Sequence, residues 1–417
     1  MAKVDQRGFD NQPSAFLAGR DAARLLGVKR ATLYAYASRG LVRSVPDRST
    51  GGRARRYARA DLEALKARHD ARAGHGPVAA AAMRWGEPVL ETAISAIDDA
   101  GPRYRGRPAV DLARDGASFE AVAELLWTGA EPESGVYWPL PRLGFAPARL
   151  ASFLPPGSSP LTALTLVVPV LGAADAGRFD TRAEVEAGRA RTLLLRMAAS
   201  LALGRGTRPA GHTVARLFAS ALGARRRDAF RAIDLALVLC ADHELNASTL
   251  AARVTASAGA DLYACVSAGL AALSGPRHGG ACDRVEALLA EAGRPARARM
   301  VVHERARRGE EVPGFGHRLY PAGDPRAKPL LDAAAAIAPR SPAVRTARAL
   351  VEAVRDASGE LPTLDLGLVA LAAALRLPPG SPTAIFAIGR VAGWVAHTIE
   401  QRHAAFLIRP RARYVGP

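Results

Sequence analysis

Cysteine is scarce in this chain of 417 residues. Only Cys240, Cys265 and Cys282 occur, too few and too scattered for a disulfide framework or a zinc site, so all three read as reduced thiols and no metal is expected. No run of 18 or more apolar residues is present, so nothing predicts a membrane-spanning helix or a membrane partner. The opening MAKVDQRGFD lacks the apolar stretch that export requires, which points to a cytoplasmic location. Strand-like alternation is nearly absent beyond residue 84, and no internal repeat is found. Acidic residues are also short: 39 Asp+Glu stand against 57 Lys+Arg, a net charge of +18. What is present is 49% hydrophobic and 23% charged residues, the composition of a soluble globular protein. The length allows two or three domains with a substantial core.

The positive charge is clustered. Residues 1–70 hold 15 Lys+Arg against 7 Asp+Glu, while the other 347 residues share the remaining +10. A basic end suggests an anionic partner, although a general Arg and Ala bias explains part of the excess. After a loose tail (1–13), FLAGRDAARLLGVKRATLYAYASRGLV places apolar residues at helical spacing, broken by Gly27 and ended by Gly40. The spacing predicts helices over about 19–26 and 30–38, forming a helix-turn-helix. A Gly-rich basic loop, RSVPDRSTGGRARRY, and an amphipathic helix, ARADLEALKARHD, follow.

This order, over residues 14–70, resembles the winged helix-turn-helix of MerR-like and excisionase-like DNA-binding domains. The resemblance implies a second helix in the major groove presenting Lys29, Arg30, Thr32 and Tyr36. The wing would bring Arg53, Arg55 and Arg56 to phosphates. A small helical module that packs on a protein partner is the competing reading. ARAGHGPVAAAAM (71–83) reads as a linker.

From residue 84 the chain becomes long amphipathic helices separated by Gly/Pro turns, apart from a short hairpin predicted over Ser95 to Tyr104 around Asp99–Gly101. Its unusual polar residues gather in a few stretches: LCADHELNAST with His243, SGPRHGGACD with His278, PGFGHRLYPAGDPRA with His317 and Arg326, and LPTLDLGL with Asp365. IGRVAGWVAHTIEQ with Arg390 and LIRPRARYVG with Arg409 follow. Singly each has a plain explanation: a satisfied core histidine, glycines that let a helix start close to a neighbour, an Asp that caps a helix. Together, three histidines, a carboxylate and three arginines suit a site that grips a dianionic acid and removes a proton beside a carbonyl.

These stretches, in this order and at these spacings, resemble the citrate synthase family over about residues 84–417, less closely over 130–230. ETAISAIDDAGPRYRGRPAVDLARDGASFEAVAELLWTG (91–129) also resembles that family's N-terminal signature. The resemblance implies a mainly α fold, with large and small helical domains (the small one about 279–375) behind the winged helix-turn-helix domain. It implies a Si-type citrate synthase, a dimeric acyltransferase of the tricarboxylic acid cycle acting on acetyl-CoA and oxaloacetate without a bound cofactor. Asp365 would take a methyl proton, His278 would bond the thioester oxygen, and His317 would polarise the ketone. His243, Arg326, Arg390 and Arg409 would hold oxaloacetate, Arg409 from across a dimer interface. Gly314, Phe315 and Gly316 would let the backbone approach coenzyme A, with Arg318 a candidate for its phosphates.

The sequence departs from the family pattern at Cys240 (often His), at Cys282 (often Asn), at PTLD in place of PNVD, and at Pro321, where lysine is usual. Two other functions fit the same residues: a 2-methylcitrate synthase using propionyl-CoA, or a DNA-binding regulator that senses a metabolite.

Overall fold

The structure, a computed structural model, describes residues 16–47, 54–72, 90–130, 135–139, 150–203, 205, 207, 209–412, 414 and 416. Residues 1–91 and 92–417 form separate compact units. In the first, β1 (Phe16–Ala18) leads into α1 (Gly19–Leu26) and α2 (Arg30–Ser38). Gly27, in the left-handed conformation at φ 64, closes α1 as only glycine does readily. Two further strands, β2 (Ser44–Pro46) and β3 (Arg55–Ala58), make the wing, and α3 (Arg59–Arg72) is the last described helix of this unit. The sheet is antiparallel with order β1-β3-β2. Ala22, Leu33, Val42, Tyr57 and Leu62 form a small core. The predicted linker is corrected at its start: residues 71 and 72 still belong to α3, and 73–83 lie outside the described residues, as do the tail and Arg53.

The second unit opens with the predicted hairpin, β4 (Ser95–Asp98) and β5 (Gly101–Tyr104), extended by a short third strand β6 (Arg107–Pro108). Helices follow: α4 (Ala109–Arg114), α5 (Phe119–Thr128), α6 (Pro160–Ala174), α7 (Ala183–Ser200), α8 (Val214–Ala221) and α9 (Arg227–Cys240). Then come α10 (Ala247–Ser257), α11 (Leu262–Leu273), α12 (Gly280–Ala292) and α13 (Ala298–Arg308). Last are α14 (Ala327–Ile337), α15 (Pro342–Ser358), α16 (Leu364–Ala374) and α17 (Ser381–Ala404). Surface helices such as α15 keep one apolar stripe, Val344, Ala347, Leu350 and Val354, as an amphipathic helix must.

Helix α17 differs, because apolar or small residues surround its whole circumference and nearly all of it is buried. Gly389 and Gly393 let it touch the end of α9. A Cβ at Gly389 would lie 2.7 Å from Cys240 Cβ, and one at Gly393 would lie 2.6 Å from the Ala241 carbonyl. This close approach sets Arg390 beside the segment that carries His243. Among the described residues no helix is long and apolar enough to cross a membrane.

Candidate active site

Asp365 lies in the first turn of α16, where a carboxylate suits the positive end of the helix dipole. Helix entry is capped from another segment: the Leu364 amide donates to Asp324 Oδ2 at 3.0 Å. The segment before it is laced to the GFGH loop. Gly316 N–H donates to the Leu361 carbonyl (3.0 Å), Thr363 N–H to the Gly314 carbonyl (2.9 Å), and Phe315 pairs with Pro362 in an isolated bridge. Gly314 and Gly316 have φ of 88° and 70°, the left-handed region that favours glycine, and a Cβ at Gly314 would lie 2.8 Å from Val285 Cγ2. Both Asp365 oxygens accept side-chain bonds. The Cys282 thiol donates to Oδ1 at 3.3 Å, and the Thr363 hydroxyl to Oδ2 at 3.1 Å. Burial, followed by the neighbouring Asp365 charge, pushes the Cys282 thiol far up, so it stays a protonated donor.

His243 and His317 meet edge to face, with ring centroids 5.8 Å apart. Tyr320 sits against both, and its hydroxyl lies 2.8 Å from His243 Nε2. The Leu319 amide donates to His317 Nδ1 at 3.1 Å, so the proton of a neutral His317 is on Nε2. His278 stands with Ser248 Oγ 2.8 Å from its Nε2. That hydroxyl has one proton and two acceptors in reach. Asn246 Oδ1, 2.7 Å away, already takes the Ser248 and Thr249 amides while capping α10. All three histidines are held neutral at physiological pH. Burial lowers His278 to about 4, helped by Arg390. It also lowers His317, assisted by Arg326, and holds His243 well below its ordinary value, with Arg326, Arg390 and the other two histidines adding to the effect.

The two arginines are buried but differ. Arg326 (3% exposed) is neutralised by a bidentate pair with Asp324, Nε to Oδ1 at 2.9 Å and Nη2 to Oδ2 at 2.8 Å. Although burial pushes the Asp324 carboxyl up, Arg326 holds it below its ordinary value. Arg390 (1% exposed) donates from Nε to the Cys240 carbonyl at 2.8 Å and lies 4.6 Å over the Phe386 ring, with no acidic partner in ion-pair range among the described residues. Phe386 also meets His278 edge to face.

The structure therefore brings together His243, His278, His317, Arg326, Arg390 and Asp365. It does not bring in Arg409, which is exposed beyond α17 and makes no bond to the others, nor Arg318, which is exposed on the GFGH loop. Sequence reasoning does not single out Tyr320, Ser248 or Asp324, and it names Cys282 only as a departure from the family pattern. The signal for Asp324 was its adjacency in DPR, and Tyr320 was three residues from His317. Among the described residues no group of three His, Cys, Asp or Glu is arranged to hold a metal.

In the N-terminal unit Lys29 and Arg30 are exposed at the start of α2, with Thr32 half-buried. Two candidates are corrected. Tyr36 packs inward against the small core, and it is Tyr34, two residues before it and 53% exposed, that stands on the outer face. Arg56 donates to the Phe16 carbonyl at 2.9 Å and so ties β3 to β1. Arg55, on the opposite strand face, bonds Ser44 Oγ and its carbonyl.

A family model for the citrate synthase C-terminal domain matches residues 82–411, and a helix-turn-helix domain model matches residues 19–70. Citrate synthase of Haloferax volcanii is 35% identical over 357 residues, 79% of this chain and 93% of its own. The 2-methylcitrate synthase of Mycobacterium tuberculosis is 33% identical over 331 residues, 75% of this chain and 84% of its own. The chain spans about half the length (51%) of that organism's putative citrate synthase 2, at 44% identity over 192 residues, 45% of this chain. Among solved structures, citrate synthase of Thermoplasma acidophilum in ternary complex with carboxymethyl coenzyme A and oxaloacetate matches with a TM-score of 0.70 at 28% identity. That match covers 79% of this chain and 94% of that one.

Proposed function

Because this chain belongs to the citrate synthase family, we propose that it condenses acetyl-CoA with oxaloacetate and hydrolyses the citryl-CoA formed, as a Si-type citrate synthase. The observation that carries this reading is Arg390, a buried guanidinium with no carboxylate in ion-pair range among the described residues, beside three neutral histidines. A small dianion supplies the missing charge, and guanidinium groups bind carboxylates with directional bonds.

In the reaction Asp365 takes a proton from the acetyl methyl group. When Ser248 gives its proton to His278 Nε2, the ring proton sits on Nδ1 and is donated to the thioester oxygen as the enol forms. The enol carbon attacks the oxaloacetate ketone as the enol proton returns to His278 Nδ1 and His317 Nε2–H gives its proton to the developing alkoxide; the proton that Asp365 took from the methyl group restores His317. Water then cleaves the thioester, releasing citrate and CoA. His243 and Arg326 contact the keto acid with Arg390. Arg409 completes the site of a second copy, so the active unit is a homodimer. Gly314, Phe315 and Gly316 approach coenzyme A, and Arg318 meets its phosphates.

The N-terminal unit, a helix-turn-helix domain, binds DNA through Lys29, Arg30, Thr32 and the wing. The 33% identity to a 2-methylcitrate synthase supports a second reading, in which propionyl-CoA replaces acetyl-CoA at the same residues. A thiol-release assay with oxaloacetate and each acyl-CoA decides between them. Acetyl-CoA is expected to give the higher kcat/KM, and release with neither would end both readings and leave the metabolite-sensing regulator.

A further inference from the structure

The turn that carries His243 is strained at the next residue. Glu244 has φ 55, in the left-handed region that a residue with a Cβ seldom adopts. Such a conformation persists where its surroundings over-determine it, and here they do. The Glu244 amide has two acceptors, Ser95 Oγ and Asp242 Oδ2, each at 3.1 Å. Ser95 and Asp242 are themselves hydrogen-bonded. His397 Nε2 lies 3.3 Å from the same Asp242 oxygen.

The proton on that contact can be assigned. Arg253 can only donate, and its Nη1 is 3.2 Å from His397 Nδ1, so Nδ1 accepts and the ring proton of a neutral His397 is on Nε2, facing Asp242. Arg253 is fixed in turn by Glu400 (2.6 Å) and Gln401 (3.0 Å). Asp242 and His397 are wholly buried. Among the described residues the Asp242 Oδ1 atom has no hydrogen-bond partner, and a Cβ at Gly393 would lie only 2.2 Å from it. A buried carboxylate oxygen left bare is unfavourable, and none of these groups takes part in the condensation.

We propose that Asp242 is a positioning residue: with Ser95 it clamps the left-handed turn at Glu244 and thereby aims the His243 imidazole, whose far side Tyr320 holds, at oxaloacetate. This rests on the reading of His243 as an oxaloacetate contact. Misplacing a substrate contact by about 1 Å can cost as much as ~10²-fold.

The test uses the full chain. Ser95→Ala removes one of the two acceptors with little change in volume. It is expected to raise the oxaloacetate KM by about tenfold, within that limit, leave the acetyl-CoA KM unmoved, and speed hydrogen exchange at the Glu244 amide. Glu244→Gly makes the left-handed turn unstrained, so the Ser95→Ala/Glu244→Gly double variant should recover most of the lost oxaloacetate KM. The same suppression is expected for Asp242→Ala. If that variant does not fold, the Ser95 pair still decides. An oxaloacetate KM within twofold of the parent in Ser95→Ala, or a double variant as impaired as the single, overturns the clamp. So does unchanged exchange at Glu244. A parent enzyme that releases no thiol refutes the condensation instead, and the exchange measurement still reads the clamp.

Discussion

Positive charge meets opposite surroundings in the two units. In the helical unit Arg326 and Arg390 are buried, and each guanidinium is oriented by directional bonds, one to a carboxylate and one to a backbone carbonyl. In the N-terminal unit Lys29 and Arg30 stand exposed at the start of α2, where the helix dipole disfavours cations. A buried, oriented arginine discriminates a small dianion by shape and charge together. An exposed cation at the positive end of a helix gains most from a polyanion that surrounds it. The difference teaches that the overall +18 is not one property: part of it builds a pocket and part of it suits a long, regular array of phosphates.

The largest effect expected is at the pocket. Asp365→Ala removes the proposed base, and loss of such a group costs about 10²–10⁴-fold in turnover. Steady-state thiol release should show that loss with the oxaloacetate dissociation constant nearly unchanged. Wild-type turnover in the variant would remove the pocket's side of the comparison altogether. Deleting residues 1–83 in parallel should leave turnover close to that of the full chain.

Why the pocket was more legible than its supports follows from distance along the chain. His278, His317 and Asp365 each lie in a short stretch whose glycines and prolines stand out in a helical sequence, and α1 and α2 were bounded by Gly27 and Gly40. Their partners are contributed from elsewhere. Ser248 is 30 residues from His278, and Cys282 is 83 from Asp365, separations that only tertiary packing closes. The strands β1 and β6, three and two residues long, are too short to show any alternation. Tyr36 is hard to place for a different reason: Tyr34 and Tyr36 are both amphipathic, and only the burial of Leu33 fixes which face of α2 turns inward.

Core truncation tests whether the units are independent as well as different. Leu33→Ala and Leu237→Ala each empty a fully buried site and should each cost about 2–5 kcal/mol. Two calorimetric transitions are expected, with Leu33→Ala lowering only the first unit's and leaving thiol release intact, and Leu237→Ala lowering only the second's. A single shared transition that moves with either variant would erase the distinction.

The helical unit should also answer to acid through its histidines. Burial depresses His278 from 6.5 to about 4, so between those values the unfolded chain binds a proton that the folded chain does not. Stability from this group is therefore fully present above about pH 6.5 and is lost as pH falls toward 4. His278→Gln cannot titrate, and its unfolding free energy should decline less steeply over that window in urea titrations at stepped pH. An identical slope would mean that His278 is not held neutral by burial.

The smallest effect is expected at α2. Each cation that neutralises a phosphate releases a counterion, and the slope of log K against log salt changes by about 0.9 per contact. Lys29→Ala/Arg30→Ala should therefore flatten that slope by up to about 1.8 units and weaken binding to duplex DNA of any sequence. Citrate formation should stay as in the parent. Arg56→Ala is the sharper control. Because its guanidinium bonds the Phe16 carbonyl, its loss should lower the thermal stability of the first unit while leaving the salt slope nearly unchanged. Fluorescence anisotropy at several salt concentrations reads both variants. A slope that falls equally in Arg56→Ala would mean that this wing arginine also meets phosphate, and a parent that fails to bind duplex DNA even at low salt would reassign the exposed cations to a protein partner.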